Sequence, residues 1–254
     1  MRSVILISVL LAVPFTAFAQ IKRPQPPPKE PSYSSSLQAV VVTTANWVAH
    51  EGTARLFERK SATSGWRQIG GEFPVVVGRN GLAIDATDAW HEEAGAPPKR
   101  EGDGKAPAGI IPLTFAFGRP EKPADVKLPY TKLEEFTECV DDVDSHHYNK
   151  IVHRLQVGIF DWKSSEKMLA VGDQYDLGVF VAYNSYPAVR GRGSCIFLHV
   201  WKDVDSGTAG CTAMARENLE KVVKWLDPAK NPHLIQMPLE VYTSYRRKRN
   251  LPKL

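Results

Sequence analysis

The residues best suited by type and spacing to do chemistry lie in Gly193-Ser-Cys-Ile-Phe-Leu-His-Val-Trp201 and, one loop later, in Gly210-Cys211-Thr212. If the first run is a strand, Cys195, Phe197 and His199 share one face while Ile196, Leu198 and Val200 share the other. A histidine ending a buried strand, a loop carrying Gly207 and Gly210, and then a cysteine make a nucleophile–base arrangement. The reacting species is the thiolate, so Cys211 needs a base or a positive potential beside it. Gly210 lets the backbone approach a substrate closely, and amides around Gly210 and Cys211 would suit an oxyanion. The plain alternative is a buried structural cysteine and a hydrogen-bonded histidine, and spacing by itself does not separate the two.

Other clusters invite chemistry less strongly. Asp141-Asp142-Val-Asp144 has carboxylate spacing suited to calcium, but it lacks the glycine and distal glutamate of an EF-hand loop. It reads as a solvated or helix-capping acidic turn. His146, His147 and His153 lack a helix-borne His-Glu-x-x-His pattern, and no metal is assigned to them. Arg100, Asp103 and Lys105 in a Gly/Pro-rich loop either contact an anionic peptide or are simply solvated, and Arg190 and Arg192 beside Gly191 have the same two readings. Tyr245-Arg-Arg-Lys-Arg249 reads as a fraying basic tail.

The elements that must position these residues are mostly β. Runs expected as strands are Gln38–Thr44, Arg55–Lys60, Pro74–Arg79, Ile110–Phe117, Gly178–Tyr183, Ser194–Val200 and His233–Met237. The clearest helix is Arg216–Leu226, with Leu219, Val222, Val223 and Leu226 on one face and Asp227-Pro228 to stop it. A second is expected over Ser145–His153. Thr87–Gly109 holds too many Pro and Gly for a regular element. The fold class is therefore mainly β with a few helices.

With 254 residues, 43% hydrophobic and 24% charged, the chain can bury a sizeable core, which argues against disorder, collagen-like repeats and a disulfide-dense miniprotein. A net charge of +4, much of it in the last residues, calls for no nucleic-acid surface. Arg2, the apolar stretch Val4–Val13 and Ala17-Phe-Ala19 read as a signal peptide over 1–19, cut before Gln20, with no membrane span after cleavage. Residues 20–36, rich in Pro and then Ser, read as an extended linker. The domain then covers 37–240 and the basic tail 241–254. Export places the chain in an oxidising compartment, where three cysteines are an odd number.

The run Ile196-Phe-Leu-His199 … Ser206-Gly-Thr-Ala-Gly-Cys211-Thr-Ala-Met214 resembles the signature of the YkuD-type L,D-transpeptidases, in which an upstream His precedes a Ser/Thr-x-Gly-Cys block. Lys99-Arg-Glu-Gly-Asp-Gly-Lys-Ala-Pro-Ala-Gly109 is similar to the family's loop before the catalytic region. Cys139-Val-Asp-Asp142, Tyr148-Asn149 and Asp173-x-Tyr175 resemble an exported branch of the group. Together these cover about Gln38 to Met237.

The resemblance implies a mixed β-sandwich of the catalytic-domain type, peptidoglycan stem peptides as substrate, and no metal or cofactor. It implies Cys211 as nucleophile, His199 as general base, Gly210 within the catalytic group, and Thr208, Arg192, Asp173, Tyr175 and Asn184 as substrate-binding residues. The reaction is attack by Cys211 on the carbonyl of an L-configured diamino acid, then passage of the acyl group to an amine of a neighbouring stem. Competing readings are a carboxypeptidase or endopeptidase on the same scaffold and a non-catalytic wall-binding module. This chain has Ala209 where many members carry His and Val200 where many carry Ser, so the second histidine's task falls to Thr208 or backbone amides. If Cys211 stays free for chemistry, Cys139 and Cys195 can pair, which resolves the odd count. Oligomeric state is not legible.

Overall fold

The computed structural model describes residues 30–85 and 95–254. The expected signal peptide, most of the linker, and the start of the loop from Thr87 lie outside the described residues. The strands are β1 (Gln38–Thr44), β2 (Glu51–Glu58), β3 (Arg67–Val76), β4 (Leu82–Ile84), β5 (Ala106–Gly118), β6 (Tyr130–Lys132) and β7 (Thr137–Cys139). They continue with β8 (Ile151–His153), β9 (Glu166–Lys167), β10 (Gly178–Val181), β11 (Phe197–Val200), β12 (Thr212–Met214) and β13 (His233–Pro238). Two α-helices follow the site-bearing strands, α1 (Arg216–Trp225) and α2 (Leu239–Arg249).

The main sheet runs β10-β11-β12-β3-β2-β1-β13-β5, and β5 also pairs with β10. The circuit therefore closes. The long β5 does this with successive portions: Gly109–Pro112 bonds β13, and Leu113–Phe117 bonds β10. In place of the two separate layers of the expected sandwich, the strands form one circuit joined through β5. β4 and β6 flank β5 in parallel, and a small separate sheet has the order β8-β7-β9.

The core fills this circuit. Every residue of β1 is buried, and Val40, Val42, Leu82, Ile84, Leu198, Leu234 and Ile235 are sealed from solvent. Because β1 is covered on both faces, its run of apolar residues need not alternate with polar ones. Helix α1 presents Leu219, Val222 and Val223 inward and packs on β10 and β11.

Three expectations are corrected. Ser145–His153 is a series of turns followed by β8, because the Asp161 carboxylate takes the Ser145 hydroxyl and the His146 N–H at 2.9 Å, and Asn149 adopts φ +61°. The strand expected from Ser194 begins only at Phe197, because Cys195 sits at φ +54° and breaks the extended run. The basic terminal run is not a frayed tail: it belongs to α2, which buries Val241, Tyr242 and Tyr245. In addition β5 begins at Ala106, within the stretch expected to be irregular.

Candidate active site

β11 and β12 lie side by side in parallel, with Leu198 opposite Thr212 and His199 opposite Ala213. Alternation along both strands then puts Phe197, His199, Cys211 and Ala213 on one face of the sheet. Cys211 leads directly into β12. The loop before it is pinned by Thr208, whose N–H donates to the Val77 carbonyl at 2.9 Å and whose carbonyl accepts from Arg79 at 2.8 Å. Gly207 is required there, since a Cβ would stand 2.5 Å from the Arg79 Cα.

Thr208 also shapes the backbone around Cys211. Its hydroxyl donates to the Cys211 carbonyl at 2.7 Å and accepts the Gly210 N–H at 3.1 Å. That amide is therefore already engaged, and the oxyanion donor expected at Gly210 is not free.

Cys211 is a free, buried thiol. Its sulfur accepts the Phe197 N–H at 3.3 Å, and its S–H donates to the Cys195 carbonyl at 3.5 Å. Tyr175 packs in the same buried cluster as Cys211. Burial pushes the thiol well above its ordinary range and the Glu166 charge adds to this, while the Phe197 N–H, the Lys99 charge and Tyr175 pull it back. At neutral pH the resting state is the protonated thiol, so any nucleophilic chemistry here requires a proton acceptor.

His199 is buried too, and desolvation lowers it to about 4, so it is neutral at physiological pH. Its Nδ1 lies 2.8 Å from the Val200 carbonyl. A carbonyl can only accept, so Nδ1 carries the hydrogen and Nε2 keeps its lone pair. Its ring meets Tyr175 edge-on, with centroids 5.3 Å apart. Among the described residues no hydrogen bond joins His199 to Cys211.

A cleft of about 230 Å³ opens over this face, walled by Glu166, Tyr175, His199, Trp201, Thr208 and Cys211. It has room for roughly one or two amino-acid residues. In the cleft wall, Glu166 on β9 accepts the Tyr175 hydroxyl at 2.6 Å. Burial raises the Glu166 carboxyl to about 7 against the opposing effect of that hydrogen bond, with the nearby charges of Asp141 and Glu101 adding to the rise. Tyr175 is itself pushed well above its ordinary range, chiefly by burial, so it stays a phenol.

Of the residues expected to bind substrate, Thr208 and Tyr175 reach this cleft. Arg192 and Asn184 line a different cavity of about 270 Å³, where Arg192 pairs with Asp85 at 3.1 Å. Asn184 donates there to the carbonyls of Val189 and Gly193, both at 2.9 Å. Asp173 is exposed and pairs with Arg119 at 2.9 Å. In the Gly/Pro-rich loop the buried member is Lys99, held by Asp103 at 2.8 Å and by the Arg100 carbonyl at 2.7 Å. His146 pairs with Asp161 at 2.7 Å, and the Asp142 carboxylate accepts the N–H groups of Asp144 and Lys163 at 3.0 and 2.7 Å, as an acidic turn would.

Cys139 and Cys195 are joined in a disulfide spanning 56 residues. Cys139 belongs to β7, whose neighbour β9 places Glu166 opposite it. The bridge thus ties the small sheet to the segment leading into β11. Sequence reasoning missed Glu166: a lone acid between Ser165 and Lys167 carries no local signal, and only strand pairing brings it to the cleft.

A profile of the L,D-transpeptidase catalytic domain (YkuD) matches residues 54–237. No curated protein matches. Among solved structures, the helical cell shape determining protein Pgp2 from Campylobacter jejuni is similar, with 14% identity over 82% of this chain and a TM-score of 0.39. The match covers 50% of that protein's chain, so this one spans half its length. No helix among the described residues is long and apolar enough to cross a membrane.

Proposed function

Because the chain belongs to the L,D-transpeptidase catalytic-domain (YkuD) family, we propose that it forms peptidoglycan cross-links through a Cys211 acyl-enzyme, with His199 as general base. What carries this reading is a free thiol in the wall of a small cleft, on the same sheet face as a histidine whose Nε2 keeps its lone pair. Cys211 Sγ attacks the carbonyl of an L-configured diamino acid in a stem peptide. The C–N bond to the following residue breaks, and the departing amine leaves with a proton. An amine from a neighbouring stem then attacks the thioester, gives up its proton, and releases Cys211. His199 takes and returns these protons.

On this reading residues 1–19 direct export, residues 20–36 space the domain from what precedes it, and residues 37–240 are catalytic. The disulfide supports an exported, oxidising location. Thr208 and Tyr175 contact substrate. Arg192 and Asn184 act from the separate cavity they line, on a part of the stem beyond the cleft.

Purified protein incubated with disaccharide-peptide fragments of peptidoglycan, with products read by mass spectrometry, tests the proposal. Cross-linked dimers that vanish in Cys211→Ala are expected. Shortened monomers in place of dimers would assign a hydrolase on the same scaffold, and unchanged fragments would overturn catalysis.

A further inference from the structure

We propose that Tyr175 and Glu166 form a second proton path from the Cys211 thiol, alongside His199, with Tyr175 relaying the proton across the shared cleft and Glu166 holding it. The inference rests on Cys211 being the nucleophile. Its geometry is independent of that reading.

Two groups flank the sulfur: the Cys195 carbonyl, which accepts the thiol hydrogen at 3.5 Å, and the Tyr175 hydroxyl, which lines the same cleft. A peptide carbonyl cannot keep a proton, so the first is a resting position only. The second leads somewhere. The Tyr175 hydroxyl already donates to Glu166 Oε2 at 2.6 Å, which leaves its oxygen lone pairs able to take a proton. The ring is held for this task, edge-on to Phe117, Phe197 and His199 with centroids 5.3 to 5.5 Å away.

The step balances as a double hop. The S–H bond breaks and its proton joins the Tyr175 oxygen, while the original Tyr175 O–H proton moves to Glu166 Oε2. The freed sulfur electron pair forms the C–S bond, and the carbonyl electrons move to oxygen. When the tetrahedral adduct collapses, the C–N bond breaks and the proton held by Glu166 returns through Tyr175 to the departing nitrogen. Glu166 ends as a carboxylate and Tyr175 as a phenol, as they began.

Matching of proton affinity favours this path. A base works best when its pKa lies near the working pH. Burial raises Glu166 to about 7 and lowers His199 to about 4, so the carboxylate is the stronger acceptor of the two. The groups facing Glu166 are Tyr175 from the 3-10 segment Met168–Tyr175, Asp141 and Glu101 from adjoining loops, and Cys211, His199 and Lys202 across the cleft. On β7, Glu138 is engaged by Lys167, Ser165 and Trp162. The path runs only with Glu166 ionised, so it is lost as pH falls through about 7.

The test is the pH profile of Cys211 alkylation by iodoacetamide, read by mass spectrometry without substrate, for the wild type, Glu166→Gln and Tyr175→Phe. In the wild type the rate rises about tenfold per pH unit and then flattens near pH 7, where Glu166 can store the thiol proton. Both variants are expected to lose the break near pH 7, and turnover at pH 8 is expected to fall on the order of 100-fold. A Glu166→Gln profile that superimposes on the wild type would overturn the proposal. If either variant melts early, the other carries the measurement. Retained turnover in Cys211→Ala would sink the proposed function instead, and the alkylation profile would still decide the proton path.

Discussion

Thr208 holds Cys211 more firmly than its place in the motif implies. One hydroxyl both donates to the Cys211 carbonyl and accepts from Gly210, while the backbone of the same residue bonds Val77 and Arg79. Thr208→Val keeps the shape and the backbone bonds but leaves the Gly210 N–H and the Cys211 carbonyl without that partner. A loss of about 1–2 kcal/mol is expected, read as a lower urea midpoint with an unchanged slope. At this scale the sequence was informative where chemistry is local. Cys211, His199 and Thr208 stand within thirteen consecutive positions, so strand alternation and spacing bring them to notice together. Glu166 was invisible for the opposite reason, since its place depends on the pairing of β7 with β9. Arg192, Asn184 and Asp173 carry polar groups in suggestive runs, yet each is engaged away from the cleft.

Among the elements, β7 and β9 depend most on the disulfide, because they form a small sheet outside the main circuit. A loop of 56 residues is closed by the bond, worth about 4 kcal/mol in the chain-entropy account. Reduction with dithiothreitol is therefore expected to lower Tm by several degrees and to raise amide exchange over residues 137–167 before it does so in β1 or β13. Since β9 carries Glu166, the same treatment should slow Cys211 alkylation near neutral pH. The strands themselves were largely legible, with β1 and β13 falling where their apolar runs predict and α1 where its apolar stripe does. The closing of the circuit was not. It requires β5 to change partners midway, from β13 to β10, and nothing in a local pattern of thirteen residues announces a change of neighbour.

For the molecule as a whole, the chain's two described ends meet. Tyr33 donates its hydroxyl to the Asn250 carbonyl at 3.3 Å, and Tyr242 donates to the Pro252 carbonyl at 2.7 Å. Leu251 is buried beside them. Tyr242 is 1% exposed, and Tyr242→Ala is expected to cost about 3–5 kcal/mol, measured as a lowered denaturation midpoint. Charge hid this from the sequence, because Arg246-Arg-Lys-Arg249 dominates the reading of a segment whose buried face is Val241, Tyr242 and Tyr245.

The partial pairing of β3 has a consequence for solubility. β12 meets it only at Val75 and Val76, so from Arg67 to Phe73 one side of the strand has backbone groups that β12 does not bond. Open backbone of this kind can template pairing with another chain, and native proteins blunt it with charge and irregularity. Here Gly70 at φ +66° interrupts the run, while Arg67 and Glu72 form ion pairs with Glu58 and Arg55 on the neighbouring strand. A few charged side chains distant from the thiol, Arg67 and Glu72 among them, are thus placed to discourage such pairing. Any redesign of the domain would do well to leave them in place.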